Sequence, residues 1–283
     1  MVFEDLVKPW DAKRHPARLL FFGLLFAFFS IAFSLWIFPE YTGLVMVFLV
    51  VLMTTPLMYL TLISEEQEEF RTDNELWLLK EHGKVITFLM YLFFGLVIGF
   101  SLFYILFPER VVTEVFSLQL STIERINANQ VSGSIVSVDT FATILLNNLK
   151  VLFFCLLFAV FFGAGAIFVL AWNASVISAA IGTYVRNSLA KYATLLGFNN
   201  VAVHFNLFVT GLLRYMLHGV FEIAAYFIGG LAGGIISMAI VNKGVRMMKL
   251  KRIIKDSIFL VAIAIFLLFI GAFVEVFITP LIF

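Results

Sequence analysis

Residues 19–38 read LLFFGLLFAFFSIAFSLWIF, an apolar run with no charged or amide side chain. As a helix rising about 1.5 Å per residue, this run matches the roughly 30 Å hydrocarbon layer of a bilayer. The same ruler finds spans at 42–63, 85–107, 144–172 and 257–279. The whole chain agrees: of its 283 residues 62% are hydrophobic and only 13% charged, and 35 are phenylalanine. A water-soluble domain could not hide that much apolar surface, whereas lipid solvates it. The fold class expected is all-α, a polytopic transmembrane helical bundle. The run after Arg18 is followed at once by another and has no small-residue cleavage site, so it reads as a retained first span.

Between 174 and 241 the pattern is less regular. A short apolar run, Ala174 to Val185, precedes the polar stretch Arg186 to Asn200, then Val201 to Leu217, then the glycine-rich run Gly219 to Val241. Fragments shorter than a bilayer suggest a discontinuous crossing, because irregular backbone survives at depth only where protein or a water-filled cavity covers it. Charge checks the count. Lys8, Lys13, Arg14 and Arg18 precede the first span, Arg71, Lys80 and Lys84 precede the third, and Lys243, Arg246, Lys249, Lys251, Arg252 and Lys255 precede the last. Basic loops accumulate on the cytoplasmic side. Counting 174–217 as one broken fifth crossing and 218–241 as a Gly-rich sixth puts all three groups on that side. Seven crossings follow, in a multi-pass cell-membrane protein with its amino terminus cytoplasmic and its carboxyl terminus outside.

Three units are expected: an amino-terminal three-span unit over 1–107, an outer interfacial segment over 108–143, and a membrane core over 144–283. Within the middle unit, Val111 to Ile126 reads as an interfacial helix, followed by a loop marked by Ser132, Gly133, Ser134 and Ser137. The acidic run Glu65, Glu66, Glu68, Glu69, Asp73 and Glu75 reads as a solvated helix. Trp36 and Trp172 fall at span ends, where amphipathic rings settle. The formal charge of +1 provides no basic field for nucleic acid. Cys155 is the one cysteine, so an intrachain disulfide is impossible.

Ionisable groups inside spans are costly and point to function. They are Lys150, Arg214, His218, Glu222 and Glu275. His218 and Glu222, four apart, share a helix face that continues through Ala225, Gly229 and Gly233. Gly229/Gly233 and Gly230/Gly234 are interleaved small-xxx-small pairs that admit another helix closely, within the bundle or across a homo-oligomer. The expected orientation sets Asn147, Asn148, Glu222 and Glu275 roughly 5–6 Å inside one membrane boundary. They form, with Lys150 and His218, a candidate intramembrane polar site.

Two readings compete there. In the first, these groups make only interhelical hydrogen bonds, each worth on the order of 1 kcal/mol. Alternatively His218, Glu222 and Glu275 bind a proton or a divalent cation, although H-x-x-x-E lacks the second histidine and the general base of H-E-x-x-H. Lys150 can snorkel outward. Asn173, His204 and Arg214 are candidates in or beside the broken span. His15 and His82 have no partner at a useful spacing. No catalytic residues are assigned, since neither G-x-S-x-G nor a Walker loop occurs.

Several of these residues together resemble a known family. Asn147-Asn148 opening a span, Gly163-Ala164-Gly165, Asn173, His218-Gly219 with Glu222 and Ala224-Ala225, Gly229-Gly230-Leu231-Ala232-Gly233, and Glu275 with Thr279-Pro280 are similar to the stage II sporulation protein M family. The resemblance covers about 140 to 283, and H-G-x-x-E-x-x-A is its most specific piece. It implies a non-enzymatic integral membrane scaffold or anchor, in sporulating bacteria one that acts in septal membrane remodelling and engulfment with peptidoglycan-degrading partners. The partners expected are the lipid bilayer from composition, further copies of the chain from the glycine pairs, and, as the resemblance implies, an envelope or membrane protein. The rival is a channel or transporter for an ion or small solute through His218, Glu222 and Glu275.

Overall fold

The computed structural model describes residues 9–71, 75–130, 138–162, 165–196, 201–241 and 247–282. Lys8, Lys243, Arg246 and the loop Ser132 to Ser137 lie outside the described residues, as does the side chain of His204. In order, the helices are α1 (Pro9–Arg14), α2 (Ala17–Ile37), α3 (Thr42–Arg71), α4 (Glu75–Leu106), α5 (Glu109–Val115), α6 (Ser117–Gln130), α7 (Val138–Phe162), α8 (Ala166–Leu196), α9 (Val201–Val241), α10 (Met247–Phe273) and α11 (Thr279–Ile282). A π-turn, Val274–Ile278, joins the last two. Among the described residues no strand occurs. Among the described residues seven helices are long and apolar enough to cross a membrane, and the protein is an integral membrane protein.

Helix ends follow local chemistry. Pro39 has no N–H to continue α2, so the chain tightens into a 3-10 turn over Pro39–Tyr41, with Phe38 N–H donating back to the Ser34 carbonyl at 2.8 Å. In α3, Pro56 interrupts the backbone ladder, while the hydroxyls of Thr54 and Thr55 bond to the carbonyls of Val50 and Val51 one turn earlier.

Two helices organise the bundle. In the first half α4 packs directly along α2 in parallel, since α3 carries the chain back across before α4 begins. Glycine permits the close approach: a Cβ on Gly23 would strike the Leu92 carbonyl, one on Gly95 the Leu20 carbonyl, and one on Gly99 the Ala27 side chain. Gly23-xxx-Ala27 thus meets Gly95-xxx-Gly99 face to face. In the second half α9 is central and touches α3, α7, α8 and α10.

The fifth crossing is not broken. Helix α8 runs without interruption from Ala166 to Leu196, and α7 ends at Phe162, inside what hydropathy read as a single span over 144–172. Gly165 approaches the Phe158 carbonyl so closely that a Cβ would come within 2.7 Å of it. Gly163, Ala164 and Gly165 carry no polar side chain, so the ruler had no sign that two helices meet there. Seven crossings survive because the fifth begins where the fourth was drawn as continuing. Trp172 accordingly lies within α8, not at a span end. The polar side chains of α8 are absorbed: Asn173 Nδ2 donates to Val169 O at 2.8 Å, and Ser178 Oγ contacts both Ala174 O and Val97 O. Arg186 caps the end of α4, its Nε donating to Tyr104 O at 2.9 Å and its Nη2 to Phe107 O.

Residues 109–130 also depart from the single interfacial helix expected. The segment bends at Phe116, and this elbow is buried in the bundle with its ring 6.3 Å from Phe100 and 5.2 Å from Tyr104. Gln119, fully buried, reaches Gly43 O at 3.0 Å and Ser175 Oγ at 3.1 Å. The apolar face of α5 and α6 is thus covered by α3, α4 and α8. Backbone at the elbow stays satisfied, since Phe116 N–H donates to Val112 O and Phe116 O accepts from Leu120 N–H.

Candidate functional site

The glycine stripe of α9 is used within one chain. A Cβ on Gly229 would meet Leu152 Cδ1 at 2.5 Å, one on Gly230 the Ala166 methyl at 2.8 Å, and one on Gly233 the Ala159 methyl and the Leu156 carbonyl at 2.8 Å each. Gly234 faces Leu62. Helices α7, α8 and α3 therefore grip α9 from three sides. The small-residue pairs serve this intrachain packing, and the expectation of a homo-oligomer loses them as its support.

One turn and more along the same helix, the side chains become polar. Asn148 Nδ2 donates to Glu222 Oε1 at 2.6 Å, and Tyr226 O–H donates to Asn148 Oδ1 at 3.0 Å. This chain of two bonds ties α7 to α9. Asn148 is the pivot because an amide carries both a donor and an acceptor. On the opposite flank, Glu222 Cγ packs on Gly271 of α10, where a Cβ would come within 3.0 Å of it. Glu275 lies about one turn beyond Gly271, on the π-turn, and α9 touches that turn. The two carboxyl groups are within electrostatic reach of each other.

Pro280 accounts for the π-turn. Its ring clashes with the carbonyl four residues back, and widening the helix over Val274–Ile278 relieves this. Thr279 Oγ1 then bonds to Val274 O at 3.1 Å. His218 completes the layer from one turn above Glu222, and its Nδ1 is buried without a hydrogen-bond partner among the described residues.

Not every expected member joins. Asn147 and Lys150 are exposed, away from this layer; residues next to Asn148 on a helix are turned about 100° from it, so only one of the two asparagines can face α9. Arg214, about two turns before Glu222 on α9, is exposed and stacks over the Tyr184 ring at 5.7 Å. Asn173 bonds within its own helix. Among the described residues no three His, Cys, Asp or Glu side chains form a group able to hold a metal ion. Tyr226 was missed, though its signal was present: it lies four residues after Glu222 on the same face.

A second polar cluster, at the opposite end of the bundle, corrects another expectation. Glu65 and Glu66 of the acidic run are buried, not solvated. Lys13 Nζ of α1 lies 2.6 Å from Glu65 Oε1 and 3.4 Å from Glu81 Oε2, while His82 Nδ1 lies 2.7 Å from Glu65 Oε2. His82 thus has a partner after all, 17 residues away.

Replacing Asn148 with leucine removes both bonds of the far layer and strands Tyr226 and Glu222. We expect a loss of about 2 kcal/mol, since a bond to a carboxylate and a buried orphan each count for more than a neutral pair. Tyr226→Phe should lose only about 0.6 kcal/mol, the average for neutral interhelical bonds. Unfolding in detergent with increasing SDS, followed by circular dichroism, measures both; equal losses would contradict the assignment of Asn148 as pivot.

The comparisons with known proteins follow this geometry. The chain is 30% identical over 169 residues to an uncharacterized protein of Methanocaldococcus jannaschii, the match covering 58% of this chain and 84% of that one. No solved structure matches it. A family model described as stage II sporulation protein M matches residues 88–280. This range begins in α4, ahead of the 140–283 stretch that carries the resemblance by motif, and includes Asn148, His218, Glu222, Tyr226 and Glu275. The chain belongs to the stage II sporulation protein M family.

Proposed function

We propose that the protein is a non-enzymatic membrane scaffold that presents a helical hairpin to an envelope or membrane protein partner. The observation that carries this reading is the height of the α8–α9 hairpin. Arg186 caps the end of α4, and Gly211 of α9 faces Tyr184 close by. From there α8 continues to Leu196 and α9 starts at Val201, so the hairpin rises about 15 Å beyond the end of α4 at 1.5 Å per residue. Phe205, 68% exposed, and exposed Asn206 lie on this projection. With the basic end cytoplasmic, the hairpin stands on the outer face. The polar layer supports the same reading, because Asn148, Glu222 and Tyr226 spend their hydrogen bonds holding α7 to α9. Family membership agrees with an anchoring role in envelope remodelling.

The channel or transporter reading is favoured by a different observation, the unpartnered His218 Nδ1 beside two carboxyl groups within the membrane. One experiment separates the two. A photo-crosslinking side chain placed at Asn206 in living cells should yield one discrete adduct that Phe205→Asp abolishes, while the same group at Leu146, on the lipid face, yields none. Proteoliposomes of the purified protein should pass neither protons nor alkali cations. Rapid flux that Glu222→Gln abolishes, with no adduct at Asn206, would replace the scaffold with a transporter.

A further inference from the structure

Between α4 and α10, at the end of the bundle where α1 docks, lies a cavity of about 280 Å³. Leu78, Leu79, Phe259 and Leu260 form its apolar walls, and His82, Lys255 and Asp256 its polar rim. None of these takes part in the far polar layer or in the projecting hairpin. The cavity's depth in the bilayer follows from the sequence: His82 stands just before the apolar run 85–107, and Lys255 just before 257–279. The rim therefore sits where hydrocarbon gives way to headgroups, with Phe259 and Leu260 in the hydrocarbon.

The walls open sideways. Phe259 is 59% and Leu79 39% exposed, so in a membrane this opening faces lipid. Along α10 at the rim, Lys251, Arg252 and Lys255 stand against Asp256, a formal surplus of basic side chains. Asp256 is bridged by Arg252 Nε at 3.5 Å, and the nearest glutamate to His82, Glu65, is held at once by His82 and Lys13. Lys255 and Lys251, both exposed, add two ammonium groups on the same turns of α10.

We propose that this cavity binds the phosphate headgroup of an anionic membrane lipid. The phosphate lies on Lys255, and the first methylenes of its chains lie along Leu79 and Phe259. Three features select this occupant together: an amphipathic lining, a position that straddles the hydrocarbon boundary, and an ammonium at headgroup height. A free phosphate would leave the apolar walls unused. A soluble protein would have to enter the bilayer to reach Phe259.

Native mass spectrometry of the full chain released from nanodiscs of equal phosphatidylglycerol and phosphatidylcholine tests this. The wild-type protein should retain phosphatidylglycerol in preference. Lys255→Gln should lower that preference roughly fivefold, the worth of one interfacial cation. Phe259→Trp, which keeps every charge and narrows the cavity, should lower retention of both lipids. Lys150→Gln, an exposed lysine at the other end, should change nothing. Circular dichroism and gel filtration establish that each variant is folded. Unchanged selectivity in Lys255→Gln, or undiminished retention in Phe259→Trp, would overturn the proposal. Displacement of the retained lipid by inorganic phosphate alone would also overturn it, assigning the site to a free anion.

Discussion

Gly95→Leu is expected to leave little folded protein in the membrane. At Gly95 the atom in the way is the backbone carbonyl of Leu20, with Gly23 Cα next to it. A flexible side chain can swing aside, but a backbone carbonyl moves only if the whole helix moves. Helices α2 and α4 would have to separate along their length, breaking the contacts at Gly23, Ala27 and Gly99 together. Overpacking in a core that can adjust costs about 1–3 kcal/mol, and a backbone obstacle places this variant above that range. Gly229→Ala should be milder, because the obstacle is the far end of the Leu152 side chain. Gly83→Ala meets nothing within 4 Å and should gain about 0.5–1 kcal/mol from helix propensity. Yield of monodisperse protein and thermal unfolding in one detergent would rank the three. The ranking fails if Gly95→Leu purifies and melts like Gly83→Ala.

The second large effect is expected at the other end, from Lys13→Met. Glu65 is fully buried, and Lys13 supplies its 2.6 Å partner. Removing one member of a buried ion pair leaves the other charge uncompensated, which costs about 3–5 kcal/mol. His82 still holds the second oxygen at 2.7 Å, so the low end, about 3 kcal/mol, is expected. The double variant Lys13→Met, Glu65→Met should recover much of that loss, because no charge is then stranded and the methylenes still fill the space. Detachment of α1 should accompany the single variant and show as faster proteolysis after Arg14. If the single and double variants are equally destabilised, the ion pair does not hold α1 in place.

Much of this architecture was legible in residue order, and the misses share a cause. Hydropathy counts exposure to lipid along one chain and has no term for what lies across from a residue. With the basic loops it counted seven crossings, yet it drew 144–172 as one span because Gly163 to Gly165 is as apolar as the residues on either side. It placed Glu65 in water because carboxylates usually are, whereas Lys13 and His82 arrive from other helices. Gly23-xxx-Ala27 and Gly95-xxx-Gly99 were plain in the sequence, but which small-residue pair meets which is a property of pairs of helices. The polar layer shows both sides: His218, Glu222 and Gly229 share a face by helical period, and contact with Asn148 follows only once α7 and α9 are packed in register.

Composition, apolar run length and basic loops by themselves determined a seven-crossing all-helical membrane protein, because hydrocarbon admits only helices or closed barrels and unbroken apolar runs of about 20 residues fit helices. The motifs around His218 and Glu222 determined its family. Tertiary packing alone decided that Asn148 rather than Asn147 faces Glu222, that the π-turn brings Glu275 toward α9, that residues 109–130 wedge into the bundle, and that α8 and α9 overtop it. These depend on distances between helices far apart in sequence, which glycine and alanine at the crossings set to within a methyl group.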